Sequence, residues 1–265
     1  MQHTPEHIRD RPLLAVGPIP LHGNRLGNWW GFGPRFNRQH LWLPLAMFAL
    51  ASFVLMILHA DQWLADRVYA MQGHAWSLRW AHVTEDLIHE TGRRLSRDAW
   101  IAMALATLAS LFIPQMHPWR RPLLYLLLAT LLAAGLVSLI KRYSNMDCPW
   151  DLLRYGGDKA YYGLFEHRPA ILGRAACFPA GHASAGYSWI ALYFFLLATR
   201  PALRWWGLGF ALGLGLVFGI AQQLRGAHFL SHDVWTLTIC WFTALILYRL
   251  ILVRRPRSLS PTSSK

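Results

Sequence analysis

The stretch that decides the fold is PLLYLLLATLLAAGLVSLI, residues 122–140, which runs directly into Lys141-Arg142. It carries no charge over a length that matches the roughly 17–25 residues a helix needs to cross a bilayer. Leu and Ala dominate, which favours a helix over a barrel strand, and a helix satisfies its own backbone in lipid. The stretch therefore predicts a membrane-spanning helix with a cationic end.

The composition points to an integral membrane protein. Of the 265 residues, 54% are hydrophobic and 15% are charged, whereas soluble domains carry about a quarter charged residues. The net charge is +13, but the basic residues cluster at the ends of apolar runs. Anionic lipid headgroups are the counter-charge for such clusters. We therefore predict contact with the bilayer and no binding of nucleic acid.

Six apolar runs predict an all-α bundle of six transmembrane helices within residues 41–252. The runs are 41–59, 99–114, 122–140, 182–199, 205–224 and 233–252. Outside them we expect an irregular tail at 1–40 and a disordered tail at 253–265. The connector 71–98 has helical periodicity, which fits either an amphipathic interfacial helix or an ordinary surface helix packed on the bundle.

Short Arg-bearing loops set the expected orientation. The turns at 119–121 and 200–204 carry Arg as their only formal charges, as does the stretch 254–257. By the positive-inside rule these loops are cytoplasmic, and so are both termini. Segments 60–98 and 141–181 then lie on the external, periplasmic side of a bacterial inner (cell) membrane.

Three polar clusters fall on that external side. They are Lys141-Arg142, Pro179-Ala180-Gly181-His182, and Arg225-Gly226-Ala227-His228 continuing to Asp233. So many cations at the lip of an apolar bundle require an anion. Two histidines and a carboxylate supply a nucleophile, an acid and an orienting group. The clusters, all within 141–233, predict an active site for a phosphate ester of a lipid.

Their order and spacing resemble the type 2 phosphatidic acid phosphatase (PAP2) superfamily over roughly residues 122–250. The family pattern is Lys-x6-Arg-Pro, then Pro-Ser-Gly-His, then Ser-Arg-x5-His-x3-Asp. The chain departs from it where Cys148 and Gln222 replace Arg, where Ala180 replaces Ser, and where Asp233 follows His228 by five residues instead of four. The resemblance implies a divergent membrane phosphatase.

The expected chemistry assigns three catalytic residues. His228 attacks phosphorus while its other ring nitrogen donates to Asp233. His182 protonates the leaving group and later activates water to hydrolyse the phosphohistidine. Positions i and i+5 of a helix differ by about 140°, so Asp233 serves only if 228–232 is not regular helix. Otherwise His232, at i+4, takes the orienting place.

Cationic and backbone groups are expected to bind the phosphate oxygens. We assign this role to Lys141, Arg225, Arg174 and the backbone N–H of Gly181. The pair His228/His232 lacks a third ligand beyond Asp233, so we predict no metal and no other cofactor.

Two of the three cysteines are expected to pair. Cys148 and Cys177 each adjoin a motif on the oxidising side, and folding the motifs together brings them close. The alternative is two free thiols. Cys240 lies in the middle of an apolar run and is expected to be an inert small side chain.

The predicted function is hydrolysis of a lipid phosphate or diphosphate through a phosphohistidine, without a metal. Suitable substrates are a polyprenyl diphosphate, phosphatidate, phosphatidylglycerol phosphate or a lipid A phosphate. Two alternatives stay open: a phosphotransferase that moves phosphate from a lipid diphosphate to an acceptor lipid, and a non-catalytic binder of lipid headgroups.

Overall fold

The computed structural model describes residues 33–82, 92–164 and 166–253, and every regular element in these ranges is helical. A single isolated bridge, between Leu152 and Lys159, is the one strand-like pairing among them. The helices are α1 (Pro34–Ile57), α2 (Ala60–Met71), α3 (Gly92–Phe112), α4 (Arg120–Tyr143), α5 (Ser184–Thr199), α6 (Arg204–Leu224) and α7 (Leu230–Leu252).

Five helices in the described ranges are long and apolar enough to cross a membrane. They are Pro34–Ile57, Arg94–Phe112, Pro114–Tyr143, Pro201–Leu224 and Leu230–Leu252. The sixth expected span, 182–199, becomes the shorter apolar helix α5, which is about 24 Å long against a hydrocarbon core of about 30 Å. It is short because the chain after Pro179 stays non-helical until Ser184, which leaves His182 in a turn.

The two connecting regions differ from expectation. The tail expected at 1–40 is already helical from Pro34, since proline suits the first position of a helix. His40 is buried there, with Nε2 2.8 Å from Tyr193 Oη. In the connector predicted at 71–98, residues 72–81 form turns, His82 is helical and 92–98 belong to α3, while the rest of the predicted helix lies outside the described residues. Residues 1–32, 83–91 and 254–265 lie outside the described part of the chain.

The core is formed where α4 packs against α7 and α5 packs against α6. Tyr125 and Ala244 meet in the first contact, Phe194 of α5 packs on α7 beside them, and all three are fully buried or nearly so. The second contact is a close backbone approach, because a Cβ on Gly186 would lie 2.6 Å from the Cα of Gly215. Small residues allow such approaches between membrane helices.

Several contacts cross-link the long loop between α4 and α5 to itself. A disulfide joins Cys148 to Cys177, whose Cα atoms are 5.2 Å apart. Next to it the buried Asp147 accepts from Arg168, with Oδ2 2.6 Å from Nε, and from Lys159 at 3.2 Å. A buried carboxylate with two cationic partners has its charge compensated. The loop therefore has one defined course past the end of α4.

The close crossing of α5 and α6 predicts unequal effects of two glycine substitutions. We expect Gly186→Ala to destabilise the protein by about 1–3 kcal/mol, because backbone atoms of Gly215 cannot move away from the new methyl group. Gly213→Ala, with open space around it in α6, is the control and should be neutral or stabilising by up to about 1 kcal/mol. Unfolding in detergent measures both, and equal effects would contradict the packing.

The disulfide predicts a thiol count. Denatured protein should show one reactive thiol, the buried Cys240, without reductant and three with it. Closing a loop of 29 residues should stabilise the protein by roughly 3–4 kcal/mol in the chain-entropy model. Mass-resolved alkylation is the measurement, and three thiols before reduction would refute the bridge.

Candidate functional site

The structure brings the three polar clusters of the sequence together. Lys141, at the end of α4, has its Nζ 3.3 Å from where a Cβ on Gly181 would stand. Ala180 N donates to the carbonyl of His232 at 3.2 Å, and Thr236 Oγ1 donates back to the Ala180 carbonyl at 3.1 Å. The turn before α5 is therefore bound to the first turns of α7, with the lysine alongside.

His228 lies in this arrangement just before α7 and is 4% exposed. Its Nδ1 is 3.1 Å from Nδ1 of His232. Burial, followed by the charges of His232, Lys141 and His182, lowers the pKa of His228 well below its usual value. A neutral imidazole keeps a lone pair, which a nucleophile needs. The main chain of Cys177 opposes the shift.

The structure does not contain the expected contact between Asp233 and His228. Asp233 Oδ2 accepts from Gln223 Nε2 at 2.5 Å and lies beside Gly219, on the α6 side. The helix begins at Leu230, so Asp233 is turned by about 100° from His232 around the axis. Only one of the two side chains can then face His228, and it is His232.

The structure also places the two arginines that were expected to bind phosphate. Arg225 is buried, and its Nε donates to the carbonyl of Arg79 at 2.9 Å. Its Nη1 is 3.5 Å from Oε1 of Gln222, the residue at the family's arginine position. Arg174 is exposed and donates to the carbonyl of Arg142 at 2.6 Å, at the end of α4.

The connector between α2 and α3 packs over the third polar cluster, a contact that the sequence did not predict. Gly226 has a positive φ and sits against the ring of Trp76, where a Cβ would be 2.4 Å from the ring. Its carbonyl accepts from Trp150 N at 3.0 Å, and the guanidinium of Arg79 stacks 4.1 Å from the Trp150 ring centroid. The positive φ and the close ring both require glycine at position 226. Gly226 was therefore the one residue whose identity could have indicated this contact from the sequence.

Asp61 is a second residue near the site that the sequence did not indicate. From the start of α2 its Oδ1 accepts from Ser231 N at 2.9 Å, so it caps the N-terminus of α7 from another helix. Burial raises the pKa of Asp61 to about 6, against the opposing hydrogen bond from Ser231. Asp61 and Ser231 are 170 residues apart, which no local pattern reveals.

A known protein family matches the part of the chain that carries the three clusters. No match was found among curated proteins or among solved structures. A family model described as the PAP2 superfamily matches residues 122–256, which include all three clusters. Family membership supports phosphatase activity on phosphate esters, and the apolar helices support a multi-pass membrane protein. The chain belongs to the PAP2 superfamily.

Proposed function

We propose that the protein is a lipid phosphatase that cleaves a lipid phosphate or diphosphate at the external face of a bacterial inner membrane. The observation that carries the proposal is the meeting of Lys141, His182 and a buried His228 within a chain of the PAP2 superfamily. A nucleophile, an acid and a cation are the minimum set for phosphoryl transfer through a covalent intermediate.

The proposed reaction has two displacements. His228 Nε2 attacks phosphorus, the bond from phosphorus to the ester or anhydride oxygen breaks, and His182 gives that oxygen a proton. Water then attacks the phosphohistidine, its proton passes to His182, and the N–P bond breaks. Lys141, Arg225 or Arg174 and the backbone N–H of Gly181 are the groups proposed to bind the phosphoryl oxygens.

A groove beside the site supports a lipid as the substrate. It has a volume of about 280 Å³ and runs between α3, α4 and the start of α5. Ser184, two residues after His182 in the chain, is in its lining. The other lining residues are Ser96, Arg97, Trp100, Thr130, Leu131, Ala134, Ala185, Ser188 and Trp189.

The assigned roles predict that His228→Ala and His182→Ala each lower phosphate release by about 100-fold or more. His117→Ala, an exposed histidine at the opposite end of α4, is the control and should retain activity. The assay uses purified protein in detergent with a panel of lipid phosphates and diphosphates, with and without chelator. Activity should persist in chelator, and full activity of either variant would overturn the roles.

The same panel separates the alternatives. Release of inorganic phosphate identifies a phosphatase. Transfer of labelled phosphate to a second lipid without release identifies a phosphotransferase, and binding without turnover identifies a headgroup binder.

The lowered pKa of His228 predicts the acid side of the pH profile. Burial and neighbouring cations disfavour the imidazolium, so the nucleophile stays neutral as the pH falls through about 6.5, the ordinary histidine value. We expect kcat/KM to fall only below that pH. A profile from about pH 4 to about pH 9 measures this. An acid limb above 6.5 would contradict the buried environment.

A further inference from the structure

The partner of the nucleophile is a histidine where the family pattern has a carboxylate. His232 stands four residues after His228, at the position of the aspartate in His-x3-Asp. The two Nδ1 atoms are 3.1 Å apart. The contact is buried, with His228 4% exposed and His232 fully buried.

The ring of His232 is fixed by its surroundings. Phe178 and Phe229 contact it edge-on, with ring centroids 5.2 Å and 5.6 Å away. Its carbonyl accepts from Ala180 N and from Thr236 Oγ1. A side chain held by packing and by its own backbone can position a neighbour closely.

The contact allows two tautomers, and only one leaves a nucleophile. When His228 Nδ1 donates to His232 Nδ1, the lone pair of His228 is on Nε2 and the proton of His232 is on its own Nε2. In the reverse case His228 carries its proton on Nε2 and has no lone pair there. Phosphoryl transfer from Nε2 therefore requires His228 to be the donor.

We infer that His232, and not Asp233, is the positioning residue for the nucleophile, and that it acts as a neutral hydrogen-bond acceptor. This inference rests on the proposed function. Asp233 is directed to Gln223 on α6 and lies about 100° away around α7. The other groups that face the pair are cationic or polar: Lys141 from α4, His182 from the turn before α5, and the main chain of Cys177.

Every proton of the reaction is accounted for when the neutral imidazole of His232 is the hydrogen-bond acceptor. Attack by Nε2 on phosphorus leaves a phosphoimidazolium whose Nδ1 proton is hydrogen-bonded to His232 Nδ1. When water displaces the phosphoryl group, the electron pair of the N–P bond returns to Nε2 and the Nδ1 proton stays in place. His232 thus holds the tautomer throughout and takes part in no covalent step.

Three variants separate an acceptor from a structural side chain. His232→Asn keeps an acceptor where Nδ1 was, and His232→Leu fills a similar volume without one. We expect His232→Leu to lower kcat by roughly 100-fold or more with KM changed less than about 3-fold, and His232→Asn to lose less than about 10-fold. Asp233→Asn should cost less than His232→Leu. Cys240→Ala, a buried change on the same helix, is the folding control.

A measurement that needs no turnover decides the tautomer. Protein labelled with ¹⁵N-histidine gives ring nitrogen shifts, and the His228 signals are those missing from His228→Ala. The wild type and His232→Asn should show protonated Nδ1 and bare Nε2, whereas His232→Leu should show a mixture or the opposite form.

Two results would contradict the inference, and a third would separate it from the proposed function. A proton on His228 Nε2 in the wild type would overturn the inference, as would a tautomer that changes in Asp233→Asn and not in His232→Leu. If no substrate is turned over but the tautomer depends on His232, the proposed function fails and the pairing stands.

Discussion

The hydrogen bond from Ala180 N to the carbonyl of His232 is the constraint on which the site depends. It joins the turn before α5 to the first turn of α7, and Thr236 closes the same contact from the other side. Together the two bonds hold the histidine-bearing segments, which are the ends of separate helices, against each other. The geometry of the Ala180 bond fixes the His232 backbone, and through it the ring that faces His228.

The electrostatic character of the site follows from its burial. The family pattern supplies arginines at the positions of Cys148 and Gln222, and this chain has a disulfide sulfur and a buried amide there. Lys141 remains beside Gly181, and the buried Arg225 binds the backbone of the covering connector. A low-dielectric pocket strengthens the interactions of each remaining charge, so under the proposed function Lys141 would attract a phosphate more strongly here than at an open surface.

The features that could be predicted from the sequence are those that local composition determines. The apolar run 205–224 lies within the span Pro201–Leu224, and 122–140 lies within Pro114–Tyr143, because hydrophobic length alone determines such helices. The grouping of Lys141, His182 and His228 followed from helix ends and motif order. The choice between His232 and Asp233 depended on where α7 begins, and a shift of one residue reverses it. Asp61 and the Trp76–Gly226 contact join distant segments, and no periodicity encodes them.

Under the proposed function, the shortness of α5 affects how a lipid would reach the histidines. A helix about 6 Å shorter than the hydrocarbon core is matched by a thinner bilayer or by polar residues that sit below the headgroup level. The turn that carries His182 directly precedes this short helix, and Ser184 at the start of the helix lines the groove between α3, α4 and α5. Under the proposed function, a lipid substrate would reach this groove by lateral diffusion, with its chains still among their neighbours. Such a route would avoid the free-energy cost of extracting the lipid into water, and the rate of encounter would depend on the surface density of the lipid.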